Sequence, residues 1–344
     1  MASAHSLGLG IGTRNELGQW LEVFYPAPLL APGEAITRVV TDVLGFAGGN
    51  VHYELSDEAL RYLAEGFATI GEDALAQLAR SLAASARHPV LTVIAEDAKP
   101  QTVPEVYLKL HLLSHRLVKP HGLVLDGMFG VLPNVAWTSE GAVDLRELPA
   151  RQLAARVAGR ALSVDCVDKF PKMTDYVVPA GVRIADTARV RLGAYLGEGT
   201  TIMHEGFVNF NAGTDGPNMV EGRISAGVFV GSGSDLGGGC STMGTLSGGG
   251  NIIISVGKEC LIGANAGIGI PLGDRCTVEA GLYVTAGTKV LILDDKRLPV
   301  GEIAARELAG KSDLLFRRNS ITGAVECLTN RSAVALNEAL HANN

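Results

Sequence analysis

The chain has few charged residues, few aromatic residues and no long apolar run. Of its 344 residues, 19% are charged and 5% are aromatic, and the formal net charge is −7. Lysine and arginine form no stripe, which argues against nucleic acid as the main partner. No apolar run reaches the roughly 18 residues that a membrane span needs, and the N-terminus lacks the basic and apolar regions of a signal peptide. We therefore expect a cytoplasmic protein that binds neither nucleic acid nor membrane.

The chain has few cysteines, and their spacing indicates neither a disulfide framework nor a metal site. The five cysteines are an odd number and contain no CxxC motif; they are Cys166, Cys240, Cys260, Cys276 and Cys327. This usage is typical of a reduced compartment. Cys260 and Cys276 fall in slots of the repeat described next, where a small thiol packs as a hydrophobe.

Glycine, in contrast, is abundant, with 43 residues concentrated in the middle of the chain around a six-residue repeat. Aliphatic side chains recur at this period, with interruptions and phase shifts, at Val178, Ile184, Val190, Leu196, Ile202, Val208, Ile224, Val230, Leu236, Val256, Ile262, Ile268, Leu272, Val278, Val284 and Val290. A hexapeptide repeat predicts a parallel β-helix, in which three hexapeptides make one coil. The repeat is long enough for about six coils.

The repeat divides the rest of the chain. We expect an N-terminal α/β domain over 1–150, a connecting helix and linker over 151–174, the β-helix over 175–297 and a C-terminal cap over 298–344. A cap is required because the bare end of a β-helix exposes unpaired strand edges. Within the first domain we predict strands at 21–25 and 91–94, helical periodicity over 56–87, and a helix opened by a capping box at 102–105.

The glycines at 8, 10 and 12 resemble a dinucleotide-binding loop only superficially. No strand is evident before them, and the polar residues 13–15 do not begin an apolar helix. The spacing therefore does not indicate a dinucleotide site, and we expect a turn at the start of the domain.

Two segments interrupt the repeat, and such interruptions are where function concentrates. The Gly, Pro and Asn content of 209–219, and the glycines of 244–251, predict loops that leave the β-helix wall. Glu221 and Arg223 follow the first interruption, and they can pair with each other or receive a carboxylated substrate. His204 precedes it as a candidate base, or else as a polar residue of the outer wall.

Two further patterns indicate ligand contacts. The glycine runs 237–239 and 248–250 offer backbone N–H groups that can stabilise an oxyanion. Arg317 and Arg318, followed by Asn319 and Ser320, fit a phosphate clamp because guanidinium groups bind phosphate bidentately. The alternative is an exposed charged edge on a capping strand.

Several motifs together resemble one enzyme family. The block HEGFVNFNAGTDGPNMVEGRISAGVFVGSGSDLGGGCSTMGTLSGGG (204–250), then GANAGIGIPLGD (263–274), VEAGLYVTAGT (278–288) and LLFRRNS (314–320), resemble the tetrahydrodipicolinate N-succinyltransferases. The resemblance is to their longer-chain actinobacterial and pseudomonad subtype. It implies a mainly β fold, namely a left-handed parallel β-helix with an N-terminal α/β domain and a short C-terminal cap. It also implies a homotrimer with active sites between neighbouring β-helices.

The resemblance also implies an activity and residue roles. Succinyl-CoA would give its succinyl group to tetrahydrodipicolinate, a cyclic dicarboxylate imine, in diaminopimelate and lysine biosynthesis. Glu221 would be the catalytic carboxylate, as general base or as nucleophile through a mixed anhydride, and the N–H of Gly244 would bind the oxyanion. The residues that would contact CoA are Arg223, Gly238, Ser241, Ala264, Glu279, Ala280, Gly287, Arg317, Arg318, Asn319 and Ser320. Glu205 would lie near the threefold axis, where the family can hold Mg²⁺, with Asp186 the nearest second carboxylate.

Three other functions compete with this one. Another hexapeptide acyl-CoA transferase would use His204 as its base. A β-helical carbonic anhydrase needs three zinc-binding histidines, whereas His204 is the one histidine within the repeat. A structural or ice-binding solenoid would have no need of the interrupting loops or of the basic segment at 317–320.

Overall fold

The computed structural model describes residues 3–244 and 252–329. These residues divide into two compact units, the first comprising 3–118, 122–171 and 175–177 and the second comprising the remainder. None of the helices in the described ranges is long and apolar enough to cross a membrane. The sequence also predicts a final helix at 333–341, which lies outside the described residues.

The first unit is mixed α/β. Its helices are α1 (Glu34–Leu44), α2 (Asp57–Thr69), α3 (Asp73–Leu82), α4 (Val103–Ser114), α5 (Met128–Val131) and α6 (Leu148–Val157). Its strands are β1 (Ser6–Arg14), β2 (Trp20–Phe24), β3 (Leu29–Leu30), β4 (Val51–Glu54), β5 (His88–Ile94), β6 (Val135–Thr138), β7 (Gly141–Asp144) and β8 (Val164–Asp168). One sheet has the order β2-β1-β5-β4, with β3 pairing β1, and a second has the order β7-β6-β8. The strand β8 lies within 151–174 and pairs with β6.

The glycines at 8, 10 and 12 lie in β1, so the turn expected there is wrong. This strand pairs with β2 on one side and β5 on the other. A Cβ on Gly10 would lie 2.1 Å from the Phe24 carbonyl oxygen, and one on Gly8 would lie 2.6 Å from the Tyr25 ring. The glycines are therefore explained by the close approach of neighbouring groups within a strand.

The helical periodicity at 56–87 belongs to two helices. Helix α2 begins at a Ser56 cap that accepts a hydrogen bond from the Ala59 N–H, and α3 follows after Gly71 at φ +81°. Leu60, Leu63 and Phe67 are fully buried and form a core with β1 and β5. The periodicity thus predicted the buried face but not the break.

Helix α4 is buried along its whole length. The predicted Thr102 cap is present, with its Oγ1 accepting from the Glu105 N–H at 3.4 Å, whereas the Glu105 carboxylate accepts from the Gln101 N–H and the Thr102 hydroxyl and does not complete the box. Lys109 is fully buried, and its ammonium donates to the Asp97 carboxylate at 2.6 Å and to two backbone carbonyls. The buried charge is therefore paired and hydrogen-bonded, as a stable interior charge must be.

The second unit consists of short parallel strands followed by a C-terminal extension. The strands that form its coils are β9 (Arg183–Ile184), β10 (Tyr195–Leu196), β11 (Thr200–Ile202), β12 (Phe207–Val208), β13 (Gly213–Thr214), β14 (Asn218–Val220), β15 (Arg223–Ile224), β16 (Phe229–Val230), β17 (Asp235–Leu236), β18 (Ser241–Thr242), β19 (Ser255–Val256), β20 (Leu261–Ile262), β21 (Gly267–Gly269), β22 (Thr277–Val278) and β23 (Tyr283–Thr285). The extension contains β24 (Lys289–Leu293), β25 (Pro299–Ala304), β26 (Leu314–Arg318) and β27 (Val325–Thr329).

The coil strands stack into three faces of a parallel β-helix. The first face stacks β9, β11, β14, β17, β20 and β22, the second stacks β12, β15, β18, β21 and β23, and the third stacks β10, β13, β16 and β19. The predicted aliphatic positions from Val190 to Val290 are buried, as are Cys260 and Cys276. Two earlier positions differ: Ile184, in the first coil strand β9, is only half-buried, and Val178, which lies before the first coil, is 69% exposed.

The segment 209–219 is not a loop leaving the wall, and that prediction is wrong. It contains β13 and β14, which pair in register with the coils on either side. Thr214 and Val220 occupy the interior positions, but threonine does not continue the aliphatic pattern. The phase then shifts because the corner between β14 and β15 contains only Glu221 and Gly222, whereas the equivalent corner of the preceding coil contains four residues, 203–206.

The C-terminal extension covers the end of the first face. Strand β26 pairs in parallel with β22, placing Phe316 beside Val278, and it also pairs antiparallel with β27. Phe316 is fully buried. The expected capping segment is thereby confirmed, since it occupies the strand edge that the last coil would otherwise expose.

Candidate active site

The corner between the first and second faces holds Glu221. We name the column of such corners the first edge; its segments are 203–206, 221–222, 237–240, 263–266 and 279–282. The Glu221 N–H donates to the Leu236 carbonyl at 2.8 Å, and its own carbonyl accepts from the Gly239 N–H at 3.2 Å. Its carboxylate is half-buried, and Oε2 lies 3.4 Å from where a Cβ on Gly238 would be. The two-residue corner thus fixes Glu221 beside the glycine run of the next coil.

Gly222 allows this short corner to form. A Cβ at this position would lie 2.2 Å from the Cys240 Sγ in the next coil. Cys240 is fully buried, and burial raises the pKa of its thiol to about 12. Cys240 is therefore a packing residue and not a thiolate nucleophile at neutral pH.

Arg223 and Ser241 are neighbours on the outside of the second face. They occupy the same register position of β15 and β18. Arg223 is exposed, and no ion pair joins it to Glu221 among the described residues. Of the two alternatives for this pair, the structure thus favours an Arg223 that is available to a ligand.

Gly244 lies at the opposite edge of the second face, two residues after the end of β18 at Thr242. Thr242, the last residue of β18, is fully buried. Its Oγ1 donates to the Arg223 carbonyl at 3.0 Å and accepts from the Ser225 N–H at 3.1 Å. The remainder of the second predicted loop, 245–251, and its glycines 248–250 lie outside the described residues. A single chain therefore places Glu221 and Gly244 on the two opposite edges of one face.

Three of the expected CoA-contacting residues stack along the first edge. Asn265 donates its N–H to the Gly238 carbonyl at 2.9 Å, and Gly281 donates its N–H to the Ala264 carbonyl at 2.8 Å, so Gly238, Ala264 and Ala280 lie in successive coils. Ala264 and Ala280 are exposed. Small residues here leave a shallow track of accessible backbone that begins at Glu221.

The track ends at Glu279 and Arg318. Glu279 donates its N–H to the Phe316 carbonyl, and its carboxylate accepts from the Arg318 N–H at 2.7 Å. At about 4.8 Å per strand, the four steps from the Glu221 coil to β26 span roughly 20 Å. The structure therefore brings Glu221, the small residues and Arg318 onto one line.

The four residues of the predicted phosphate clamp fall into two pairs, of which one contacts a buried carboxylate and the other is exposed. Arg317 and Asn319 both contact Glu326, with Arg317 Nε donating to Oε2 at 2.9 Å and Asn319 Nδ2 donating to Oε1 at 2.8 Å. These hydrogen bonds, together with the Arg317 charge, hold the pKa of Glu326 below its usual value. Sequence reasoning missed Glu326, whose register opposite Arg317 follows from the β26–β27 pairing. Arg318 and Ser320 remain exposed.

Gly287 lies away from this line. It follows β23, at the edge of the second face that also carries Gly244, and, its chain neighbours aside, no atom of the described residues lies within 4 Å of where its Cβ would be. The structure thus separates Gly287 from the other residues expected to contact CoA and leaves its surroundings open.

His204 and Glu205 form an exposed pair on the first edge. His204 Nδ1 lies 3.0 Å from the Glu205 carboxylate, which also accepts from Arg189 at 3.2 Å. No group of three or more His, Cys, Asp or Glu in the described ranges could hold a metal ion. Within the part of one chain that the structure describes, Glu205 contacts His204 and Arg189 and belongs to no such group.

Family models match much of the chain. The model for the N-terminal region of tetrahydrodipicolinate N-succinyltransferase matches residues 72–130, and the model for its middle region matches 132–172. A third model, the hexapeptide repeat of succinyl-transferase, matches 253–286.

Named relatives match nearly the whole chain. Two of them are named 2,3,4,5-tetrahydropyridine-2,6-dicarboxylate N-succinyltransferase. The protein from Pseudomonas putida is 66% identical to this chain over 98% of both chains. The protein from Vibrio cholerae is 61% identical over 98% of this chain and 99% of the other. A Campylobacter jejuni crystal structure, described as a candidate 2,3,4,5-tetrahydropyridine-2-carboxylate N-succinyltransferase, superimposes with a TM-score of 0.89 at 33% identity, covering 97% of this chain and 94% of that one. The expected left-handed parallel β-helix is confirmed. On this evidence the chain belongs to the tetrahydrodipicolinate N-succinyltransferase family.

Proposed function

We propose that this chain transfers the succinyl group of succinyl-CoA to tetrahydrodipicolinate, giving N-succinyl-2-amino-6-oxopimelate and CoA in diaminopimelate and lysine biosynthesis. The observation that carries the proposal is the identity of 61–66% with named N-succinyltransferases over nearly the full length of both chains. The cosubstrate follows from the reaction, because succinyl transfer needs an activated succinyl donor.

The reaction has three chemical steps. Water adds to the cyclic imine so that the ring can open, the nitrogen attacks the thioester carbonyl, and CoA leaves as a thiol. The nitrogen must lose a proton as the C–N bond forms, which calls for a general base. The tetrahedral intermediate carries an oxyanion, which calls for hydrogen-bond donors fixed in advance.

Glu221 is suited to act as the general base. Its backbone N–H and carbonyl are hydrogen-bonded to Leu236 and Gly239 of the next coil, and its carboxylate lies beside the half-buried Gly238. A carboxylate at this place can take the proton, or it can attack the thioester and form a mixed anhydride that the nitrogen then opens. Incubation with labelled succinyl-CoA without acceptor separates the two roles, because only the anhydride route leaves succinyl bound to the protein.

The first edge is suited to the long arm of succinyl-CoA. From the Glu221 coil the track runs roughly 20 Å to Arg318, along the half-buried backbone of Gly238 and the exposed backbone of Ala264 and Ala280. There Arg318 provides an exposed guanidinium for phosphate, while Ser320 provides a hydroxyl nearby. Arg223 and Ser241 would contact the succinyl end, because they lie on the face adjoining Glu221.

The site is completed by a neighbouring copy in this proposal. Glu221 and Gly244 lie on opposite edges of the second face in one chain, whereas base and oxyanion donor must reach the same carbonyl carbon. Packing β-helices side by side as a homotrimer would bring Glu221 of one copy to Gly244 of the next. Magnesium at Glu205 has no support from the described residues of a single chain.

The test is acceptor-dependent release of CoA. Purified protein is mixed with succinyl-CoA, with and without tetrahydrodipicolinate, and free thiol is measured. We expect thiol release only with the acceptor and faster with succinyl-CoA than with acetyl-CoA. Release independent of the acceptor would contradict the proposal, and loss of all activity in His204→Ala with retention in Glu221→Ala would favour the alternative acyltransferase that uses His204.

A further inference from the structure

A small cavity in the first unit combines a buried carboxylate with aromatic walls. Its volume is about 210 Å³. It is lined by Ile11, Glu22, Phe24, Arg87, Trp137, Thr138, Gly141, Ala142, Asp165, Asp175 and Tyr176. The residues that the family resemblance assigns to the active site all belong to the second unit. The cavity is therefore unused by the proposed reaction.

Glu22 is a buried charged residue of the cavity lining. Only 5% of its side chain is exposed. Its carboxylate accepts hydrogen bonds from two neutral hydroxyls, those of Thr13 at 2.5 Å and Tyr176 at 3.1 Å, while the Arg87 guanidinium lies at 3.6 Å. Because a carboxylate offers about four acceptor positions, Glu22 can accept a further donor from the cavity. Burial raises its pKa despite these partners, which indicates that its charge is incompletely compensated.

The walls suit a cation with an apolar body. Tyr176 lies with its ring centroid 6.2 Å from that of Phe24 and 6.5 Å from that of Trp137, inclined by 59° and 83°. Aromatic ring faces attract an ammonium group, most strongly when it is desolvated. Trp137 Nε1 already donates to the Asp168 carbonyl at 3.0 Å, so the tryptophan contributes its ring and not a donor.

The charges of the lining select the sign of the ligand. Three of the four charged lining residues are acidic, namely Glu22, Asp165 and Asp175, and Arg87 is the basic one. Arg87 is half-exposed. The net charge of the lining is therefore negative, which favours an ammonium over an anion.

We propose that this cavity binds a small primary amine as its ammonium form, with the ammonium donating to Glu22 and the alkyl part against Phe24, Trp137 and Tyr176. This is a ligand site of the first unit, and it is independent of succinyl transfer.

The direct test uses Trp137 as the reporter. The chain has two tryptophans, so Trp20→Phe leaves Trp137 alone to report on the cavity. The full-length variant is titrated with butylammonium chloride, and in parallel with butanol and butyrate, which match its size but not its charge. We expect a saturable change of Trp137 emission with butylammonium only. No change, or an equal change with butanol, would overturn the proposal.

Two further variants locate the site. In the same background, Glu22→Gln removes the charge and should weaken butylammonium binding about tenfold or more, because hydrogen bonds between charged groups are the strong ones. Glu54→Gln, which changes a surface carboxylate paired with Arg14, should leave binding unchanged. Should Glu22→Gln fail to fold, Ala142→Leu fills the cavity with Glu22 intact and should abolish the response. Undiminished binding in either cavity variant would contradict the proposal.

Discussion

Gly222 and Cys240 lie in adjacent coils so close together that a Cβ on Gly222 would lie 2.2 Å from the Cys240 Sγ and 2.7 Å from its carbonyl oxygen. This contact sets the position of Glu221, which forms the two-residue corner together with Gly222. The same carbonyl of Cys240 accepts the N–H of Arg223 at 2.9 Å. The packing of one thiol is thus coupled to the two residues expected to contact the reacting group.

Gly222→Ala should therefore impair catalysis more than folding. The added methyl must displace the corner, and a shift of about 1 Å at a catalytic group costs on the order of 100-fold in rate. Overpacking of this kind destabilises by about 1–3 kcal/mol. Steady-state turnover with succinyl-CoA and urea unfolding measure the two effects.

Gly301→Ala is the matched control, because in the part of the chain that the structure describes no atom beyond its chain neighbours lies within 4 Å of where its Cβ would be. We expect it to keep wild-type turnover. Full activity of Gly222→Ala would show that the corner tolerates a side chain and that Glu221 does not depend on it.

Arg318 and Arg317 should give different defects although they are adjacent. Arg318 is exposed and should contact phosphate, so Arg318→Gln should raise the KM for succinyl-CoA about tenfold with little change in kcat or in the free energy of unfolding. Arg317→Gln leaves Glu326, which is 4% exposed, without its guanidinium partner. It should lower the free energy of unfolding by about 3 kcal/mol.

The double variant Arg317→Gln with Glu326→Gln separates charge from packing. Removing both charges should restore most of the lost stability, because no carboxylate is then left unpaired. An Arg317→Gln variant that is fully stable and defective only in KM would contradict this division and would make Arg317 part of the clamp.

His111 should make the protein less stable in mild acid. It is fully buried on α4, its Nδ1 donates to the Tyr107 carbonyl at 2.7 Å, and its Nε2 accepts the Tyr25 N–H at 3.2 Å. Burial lowers its pKa to about 3. Below the ordinary pKa of about 6.5 the unfolded chain takes up a proton that the folded chain does not, so stability is lost as the pH falls.

The expected loss from His111 is about 2 kcal/mol between pH 7.5 and pH 5.0. His111→Gln keeps a donor and an acceptor but cannot titrate. Chemical unfolding at the two pH values should show a smaller decrease for the variant than for the wild type, by about this amount. Parallel pH profiles would mean that His111 becomes protonated in the folded state.

The interior of the β-helix could be predicted from the sequence because it is set by a local pattern. Each aliphatic position from Val190 onward needs only the right size and period, and each is buried. Val178 follows the same pattern but precedes the first coil, so no neighbouring coil covers it. Periodicity identifies residues that can be buried, but whether a given residue is buried depends on the tertiary structure around it.

The errors arose where one residue's role depends on a distant neighbour. Thr214 occupies an interior position on the third face, and its hydroxyl is hydrogen-bonded to that of Thr200 at 2.8 Å. A search for aliphatic residues could not reveal this polar pair. The glycines of β1 looked like a turn because the groups that exclude their side chains come from Phe24 and Tyr25. Glu326 was missed because its partner Arg317 lies on another strand.

The most direct test of the whole account is the turnover of Glu221→Gln with succinyl-CoA and tetrahydrodipicolinate. The substitution keeps the size of the side chain and removes its ability to take a proton or attack the thioester. Glu302→Gln, on the exposed strand β25, serves as the control. We expect kcat to fall by about 100- to 10,000-fold in Glu221→Gln, with unchanged unfolding, and to stay at the wild-type value in the control. A Glu221→Gln enzyme that turns over at the wild-type rate would contradict the assignment of the chemistry to this corner.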